Sequence, residues 1–350
     1  MTVSDFISLS LKPMQVETLQ NEILYIGAAG FEDRGLAFVE NAVYSGKKFR
    51  SCLAIEYEPF NPRNRKSEFS KLSREVFDTT SWISYHRVHP EIFARTLLSL
   101  PDLSNQALKI VVDISGMSKF LIVVLLQSLR EFSLPLSVMY APAKIYHPTR
   151  EEYEKAKANL TDPYFLTTDV YKVITTTQLS SIAMQGSPLA MIAFPNFNYL
   201  EIAALINEMS AQKLILIDST ESPSQNAWRM EAIKWINRGL ESYVTPIHYE
   251  TDAMDLRTNL DLLDQIYDQY HLTHKIAVAP TGGKLQALAT YCLKNIHPDV
   301  HIVYPLVREF AADYSDGYTS HFEISFTDFR AFVTTLNAYR KRILETPQPQ

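Results

Sequence analysis

The chain has 350 residues, of which 46% are hydrophobic and 21% charged, a balance that excludes a disordered or fibrous polypeptide. Its formal net charge of -6 argues against a general nucleic-acid binder and against an anionic-membrane binder. Two cysteines, Cys52 and Cys292, exclude a disulfide framework and a cysteine-rich zinc site.

The longest apolar run near the middle, Phe120 to Leu126, falls short of the ~20 residues that cross a bilayer. No early apolar core follows Met1, so no secretory signal is legible and a cytoplasmic protein is expected.

Taken in order, short apolar runs alternate with amphipathic stretches. Residues 22–28 predict a buried strand, 32–46 a helix, 49–56 a second strand and 66–77 a second helix. Residues 82–88 predict a third strand, 90–100 a third helix and 108–114 a fourth strand. An apolar helix at 117–132 and a fifth strand at 135–141 follow. The second half replays this order, with strand runs at 188–194, 213–218, 243–249, 274–279 and 300–304. Ile26 maps to Ile192 and Ser115 to Thr281, both at an offset of 166.

Such alternation indicates parallel sheets flanked by helices. The expected class is α/β, with two tandem parallel-sheet domains related by internal duplication. Their expected bounds are 1–154 and 188–345. A polar, Thr/Ser-rich linker at 155–187 joins them, and a disordered tail at 346–350 ends the chain. Residues 321–326 predict an added strand and 327–344 a terminal helix.

Glycine is scarce, at ten residues, so its placement is informative. Gly27, Gly30, Gly35, Gly116, Gly282 and Gly283 all follow apolar strand runs. In open α/β sheets, ligands bind beyond the carboxyl ends of strands, where the strand order reverses. That points to the first and fourth strand–helix turns of each half.

The first turn reads Gly27-Ala-Ala-Gly30-Phe31-Glu32-Asp33-Arg34-Gly35. Amides at a helix start suit an anion, Gly27 and Gly30 let a phosphate approach, and Arg34 closes on it bidentately. The competing reading is plain capping by Glu32 and Asp33, with Arg34 paired to one of them. The fourth turn reads Asp113-Ile-Ser115-Gly116-Met-Ser118-Lys119. Ser115, Ser118 and the Gly116 backbone would hold a phosphate or nucleoside. Lys119 would neutralise charge, and Asp113 would accept from a sugar or orient the lysine. A serine-capped helix with a surface lysine is the competing reading.

In the second half, Thr281-Gly282-Gly283-Lys284 opens a helix and is the strongest anion signal, although its spacing departs from a P-loop. The first turn there, Pro195 to Tyr199, lacks glycines and charges. Glu56-Tyr57-Glu58 and Asp218-Ser219-Thr220-Glu221 sit at the second-strand ends, where an acid often meets a ribose. The basic run Arg63-Asn-Arg65-Lys66 reads as a solvated loop. No metal constellation, activated cysteine or nucleophile elbow is legible. Neither a metal nor a cofactor is expected.

A strand followed by Asp113-x-Ser115-Gly116-x-Ser118-Lys119, and again by Thr281-Gly282-Gly283-Lys284, resembles the fourth-strand motif of CARF-type domains. These are Rossmann-like sensors of cyclic oligonucleotides in prokaryotic antiviral systems. The resemblance implies two Rossmann-like domains in which Ser115, Gly116, Lys119, Thr281, Gly282, Gly283 and Lys284 line a nucleotide pocket.

Two functions compete. One is a sensor that binds a nucleotide-type small molecule and signals to a protein partner or within a homo-oligomer. The other is an enzyme that cleaves or transfers a nucleotide at a phosphodiester or glycosidic bond. Glu32, Asp33 and Asp113 would then supply acid–base chemistry, with Arg34 and Lys119 stabilising charge. A purely structural role in a larger complex is the third.

Overall fold

A computed structural model describes residues 2–7, 9–100, 103, 108–158, 169–220, 226–310 and 314–345. The expected tail at 346–350 lies outside the described residues. Among them, no helix is long and apolar enough to cross a membrane.

The chain forms two compact units that interleave in sequence. The leading unit holds Ser10–His147 and Ala312–Val333, and the trailing unit holds Met1–Leu9, Pro148–Ala311 and Thr334–Gln350. The segment 155–187, read from sequence as a linker, falls within the trailing unit. Arg150–Ala158 is helical, and Val170–Ile174 pairs antiparallel with Tyr304–Val307.

The leading unit is built on five parallel strands: β1 (Ile23–Ala28), β2 (Phe49–Glu58), β3 (Phe77–His86), β4 (Lys109–Asp113) and β5 (Leu136–Tyr140). Their spatial order is β3-β2-β1-β4-β5. His321–Phe326 continues the sheet antiparallel to β5, and Lys12–Met14 pairs antiparallel with it in turn. The connecting helices are α1 (Ala37–Tyr44), α2 (Lys66–Val76), α3 (Pro90–Leu98) and α4 (Lys119–Leu129). Phe120 to Leu129 of α4 are all buried, as an all-round apolar helix requires.

The two largest differences from the sequence reading in this unit are both at element starts. The helix expected from 32 begins as a 3-10 turn, Asp33–Gly35, ahead of α1. The third strand begins at Phe77 instead of 82. Phe77 is drawn into a ring cluster with Tyr25, Phe38 and Phe49, and Thr79 and Thr80 favour extended backbone.

The trailing unit holds β6 (Leu189–Ala193), β7 (Lys213–Thr220), β8 (Pro246–Asp252), β9 (Lys275–Ala279) and β10 (His301–Ile302). All are parallel, in the order β8-β7-β6-β9-β10, the same order as in the leading unit. Its helices are α5 (Tyr199–Met209), α6 (Ala227–Asn237), α7 (Leu256–Tyr270) and α8 (Lys284–Ile296). The strand expected at 243 starts at Pro246, because Arg238–Ser242 forms a 3-10 turn and Tyr243 N–H closes on Leu240 C=O at 2.9 Å. Register is preserved between the sheets. Ile26 pairs with Val112, and Ile192 with Val278. At the far end of α8, the buried Lys294 ammonium donates to the carbonyls of Pro298 and Val300 at 2.8 and 2.7 Å, where the helix dipole favours a cation.

β10 begins with His301, whose Nδ1 accepts from Ser181 N–H at 3.2 Å. Burial, followed by the charges of Lys275 and Lys294, pushes its pKa down to about 4. Protonation would set a donor against a donor. Between about pH 6.5 and pH 4 the unfolded chain therefore binds the extra proton. The histidine's contribution is complete above pH 6.5 and is lost as pH falls toward 4. The full shift is worth about 3 kcal/mol, and solvent at the ring edge reduces this to about 2 kcal/mol. His301→Asn keeps an acceptor for Ser181 and does not titrate. Unfolding free energies at pH 7 and pH 4.5 should differ less in this variant than in the parent chain, by about that amount. Equal acid sensitivity in both would remove His301 from the account.

Candidate functional site

In the leading unit, β1 and β4 are neighbours whose connections depart to opposite sides, so a switch point lies beyond their carboxyl ends. The first and fourth turns meet there in backbone contact. A Cβ added to Gly30 would lie 2.8 Å from the Gly116 carbonyl oxygen. A Cβ on Gly116 would lie 2.6 Å from the Ala28 oxygen and 3.0 Å from Gly35 Cα. Gly27 has a different reason: the Tyr25 ring folds over it and would meet a Cβ at 2.5 Å.

The polar groups of the fourth turn knit the strand exits together. Asp113 is 1% exposed. It accepts from the Tyr25 hydroxyl at 3.0 Å and from Ser115 N–H at 2.9 Å. Burial, with Asp113 alongside, holds the Tyr25 phenol protonated well above the usual tyrosine range. Ser115 Oγ accepts from Ala141 N–H at 2.8 Å and so pins the exit of β5. Ser118 caps α4, accepting from Leu121 N–H at 3.3 Å. Its own N–H donates to the Tyr57 hydroxyl at 2.8 Å, and that hydroxyl donates to Gly116 C=O at 3.3 Å. Lys119 opens α4, half-buried.

The charges of the first turn are held inside the protein. Arg34, 4% exposed, donates to Glu32 Oε1 from Nε at 2.9 Å and from Nη2 at 2.5 Å. Its Nη1 reaches the Tyr140 and Tyr146 hydroxyls, both at 3.3 Å. Ser315 donates to the same Glu32 oxygen at 2.8 Å. Burial opposes the charge on Arg34, but Glu32, Tyr146 and Tyr140 together outweigh it and raise the guanidinium's pKa. Asp33 pairs with the Arg65 guanidinium and accepts from Gly317 N–H at 3.0 Å. Arg65 N–H in turn donates to Gly30 C=O at 3.0 Å, which fastens the loop after β2 to the first turn. These contacts pair Arg34 with Glu32 and Asp33 with Arg65, and Glu32, at the head of the 3-10 turn, makes no side-chain cap bond.

In the trailing unit, Thr281 Oγ1 donates to Phe194 C=O at 2.7 Å and accepts from Phe194 N–H at 3.1 Å. This bond pair joins the exits of β6 and β9. Gly283 caps α8, and its N–H donates to Gln286 Oε1 at 2.7 Å. The same amide oxygen lies 2.0 Å from where a Cβ on Gly282 would sit. Gln286 Nε2 donates to Ser219 Oγ at 3.0 Å, and Lys284 opens the helix, buried. Asn196 Nδ2 donates to Glu201 at 3.0 Å and to Thr281 C=O at 3.2 Å, the bracing that asparagine supplies in a turn without glycine.

Each unit therefore places a neutral acceptor on an amide at the start of its fourth-strand helix. In the leading unit it is the Tyr57 hydroxyl on Ser118 N–H, and in the trailing unit Gln286 on Gly283 N–H. An arriving anion would displace a weaker partner of the same polarity. Gln286 sits three residues after Gly283, the capping-box spacing that could have disclosed it from sequence. Tyr57, Tyr140, Tyr146 and Ser315 carry no such local signal. The acids closing the second strands have partners as well. Glu56 binds Lys66 and accepts from Ser84 at 3.2 Å, and Asp218 binds His248 Nδ1 at 2.7 Å.

No family model and no curated protein matches the sequence. Among solved structures, the chain is similar to a type III CRISPR defence DNA nuclease activated by cyclic oligoadenylate. That similarity has 10% identity and a TM-score of 0.45, over 77% of this chain and 63% of the nuclease chain. It is also similar to the cytoplasmic domain of a prokaryotic cation chloride cotransporter, with 10% identity and a TM-score of 0.24, over 84% of this chain and 99% of that one. The chain thus spans less than two thirds of the nuclease.

Proposed function

We propose that the chain is a nucleotide-binding sensor built by internal duplication, which signals to a protein partner or within a homo-oligomer. One observation carries this reading. Five parallel strands of the same spatial order in each unit release a hydroxyl–glycine–lysine turn from the fourth strand into a helix N-terminus. That is where an α/β sheet receives phosphate. Ser118 with Lys119, and Gly283 with Lys284, are the phosphate contacts, and Tyr57 and Gln286 yield their amides to it. The resemblance of both turns to the CARF motif favours a cyclic oligonucleotide as ligand and antiviral defence as setting. Enzymatic turnover has less support, because Glu32, Asp33 and Asp113 are each engaged by neighbouring groups that a proton-transfer role would have to break.

Calorimetry and mass analysis against linear nucleotides, cyclic dinucleotides and cyclic oligoadenylates test this. One member of the panel should bind, raise the melting temperature and be recovered intact. Lys119→Ala or Lys284→Ala should weaken it about 10-fold, the loss of one charge-assisted contact of about 1.4 kcal/mol. A panel without any binder would overturn the reading. A cleaved ligand, with cleavage lost in Asp113→Asn, would replace the sensor by an enzyme.

A further inference from the structure

Phe60 is the only exposed phenylalanine among the described side chains, at 69%. Tyrosine or tryptophan in such a place keeps a polar tip hydrated; a phenyl ring has none. The ring lies on the loop after β2, and that loop is held at several points. Asn61 Oδ1 accepts from Arg63 N–H at 3.0 Å, and Asn61 C=O from Asn64 N–H at 2.9 Å. Arg65 then joins it to Gly30 and Asp33 of the first turn. The ring is thus displayed on a fixed loop.

Covalent geometry ties the loop to the candidate phosphate site. Tyr57, whose hydroxyl sits on Ser118 N–H, precedes Phe60 by three residues, so their Cα atoms lie at most about 11 Å apart. Between them Glu58, at the end of β2, exposes its carboxylate. An acid at the end of the second strand is placed to accept from ribose hydroxyls.

We propose that the loop from Glu58 to Arg65 is a nucleobase subsite, an assignment that rests on the nucleotide-binding reading above. Phe60 stacks the base, Glu58 accepts from the ribose, and the phosphate lies at Ser118 and Lys119. Stacking on a phenyl ring uses the π face that every base has, so the subsite accepts purines and pyrimidines with modest preference.

The test is calorimetry of the full chain with AMP, cyclic di-AMP, ribose 5-phosphate and inorganic phosphate. Phe60→Ala should weaken AMP and cyclic di-AMP by about 10-fold or more, leave ribose 5-phosphate and phosphate unchanged, and be rescued by Phe60→Trp. Glu58→Gln should weaken ribose 5-phosphate and the nucleotides while sparing inorganic phosphate. Both positions are exposed, and an unchanged melting temperature confirms the fold of each variant. Nucleotide affinity unaltered by Phe60→Ala would overturn the base subsite and leave nucleotide binding standing. Failure of AMP and cyclic di-AMP to bind the parent chain would overturn the subsite; failure of the whole nucleotide panel would take the nucleotide-binding reading with it.

Discussion

Arg34→Met is expected to destabilise the leading unit by about 3–5 kcal/mol, the usual penalty for breaking a buried ion pair from one side. Methionine keeps much of the length and volume of the side chain, so packing changes little. Electrostatics changes greatly. Glu32, itself buried, would keep Ser315 and lose both guanidinium bonds. The Tyr140 and Tyr146 hydroxyls would lose their shared donor.

The double variant Arg34→Met with Glu32→Gln should recover most of the loss, because no charge is then left unpaired. Trp82 is the leading unit's share of three tryptophans. Urea unfolding followed by its fluorescence, with Trp228 and Trp235 changed to Phe, isolates this unit. A penalty below about 1 kcal/mol would mean an arginine in solvent-exposed pairing. It would favour the phosphate-clamping role that the first-turn sequence suggests for Arg34.

Much of the fold was legible because it is local. The apolar runs at 22–28, 108–114, 188–194 and 274–279 became β1, β4, β6 and β9, and the offset of 166 survives as matched register in both sheets. The start of β3 was not legible, since Lys66 to Phe77 has helical spacing throughout. The distant rings of Tyr25, Phe38 and Phe49 add to Thr79 and Thr80 in making Phe77 begin a strand. The interleaving of the units was equally out of reach. His321–Phe326 reads as a strand, but its pairing with β5 spans some 180 residues of sequence and follows no local pattern.

At the site, sequence pattern located the turns, and folding supplies a second cause for their glycines. Scarcity and position suggested room for a ligand. The groups that take up that room, the Gly116 backbone, the Tyr25 ring and the Gln286 amide, are neighbours created by folding.

Gly116→Ala turns that distinction into a measurement. The expected result is a loss of about 3 kcal/mol, at the upper end for overpacking. A flexible side-chain tip could swing away from an added methyl group. The Ala28 carbonyl oxygen at 2.6 Å and Gly35 Cα at 3.0 Å are backbone and cannot. To admit the methyl group, the exits of β1 and β4 must part. The Tyr57 hydroxyl, which bridges Gly116 C=O and Ser118 N–H, holds the turn that has to shift.

Gly239→Ala is the control. Its added Cβ meets nothing within 4 Å, and relief of backbone entropy should leave stability unchanged or raised by a few tenths of a kcal/mol. Denaturant midpoints for the two variants should therefore move apart. If Gly116→Ala instead melts with the parent chain and loses only nucleotide affinity, the glycine serves ligand approach and the close packing of the two turns is incidental. If it loses stability and binds nucleotide normally once saturated, the turns are a scaffold, and recognition lies with Ser118, Lys119 and the loop that carries Phe60.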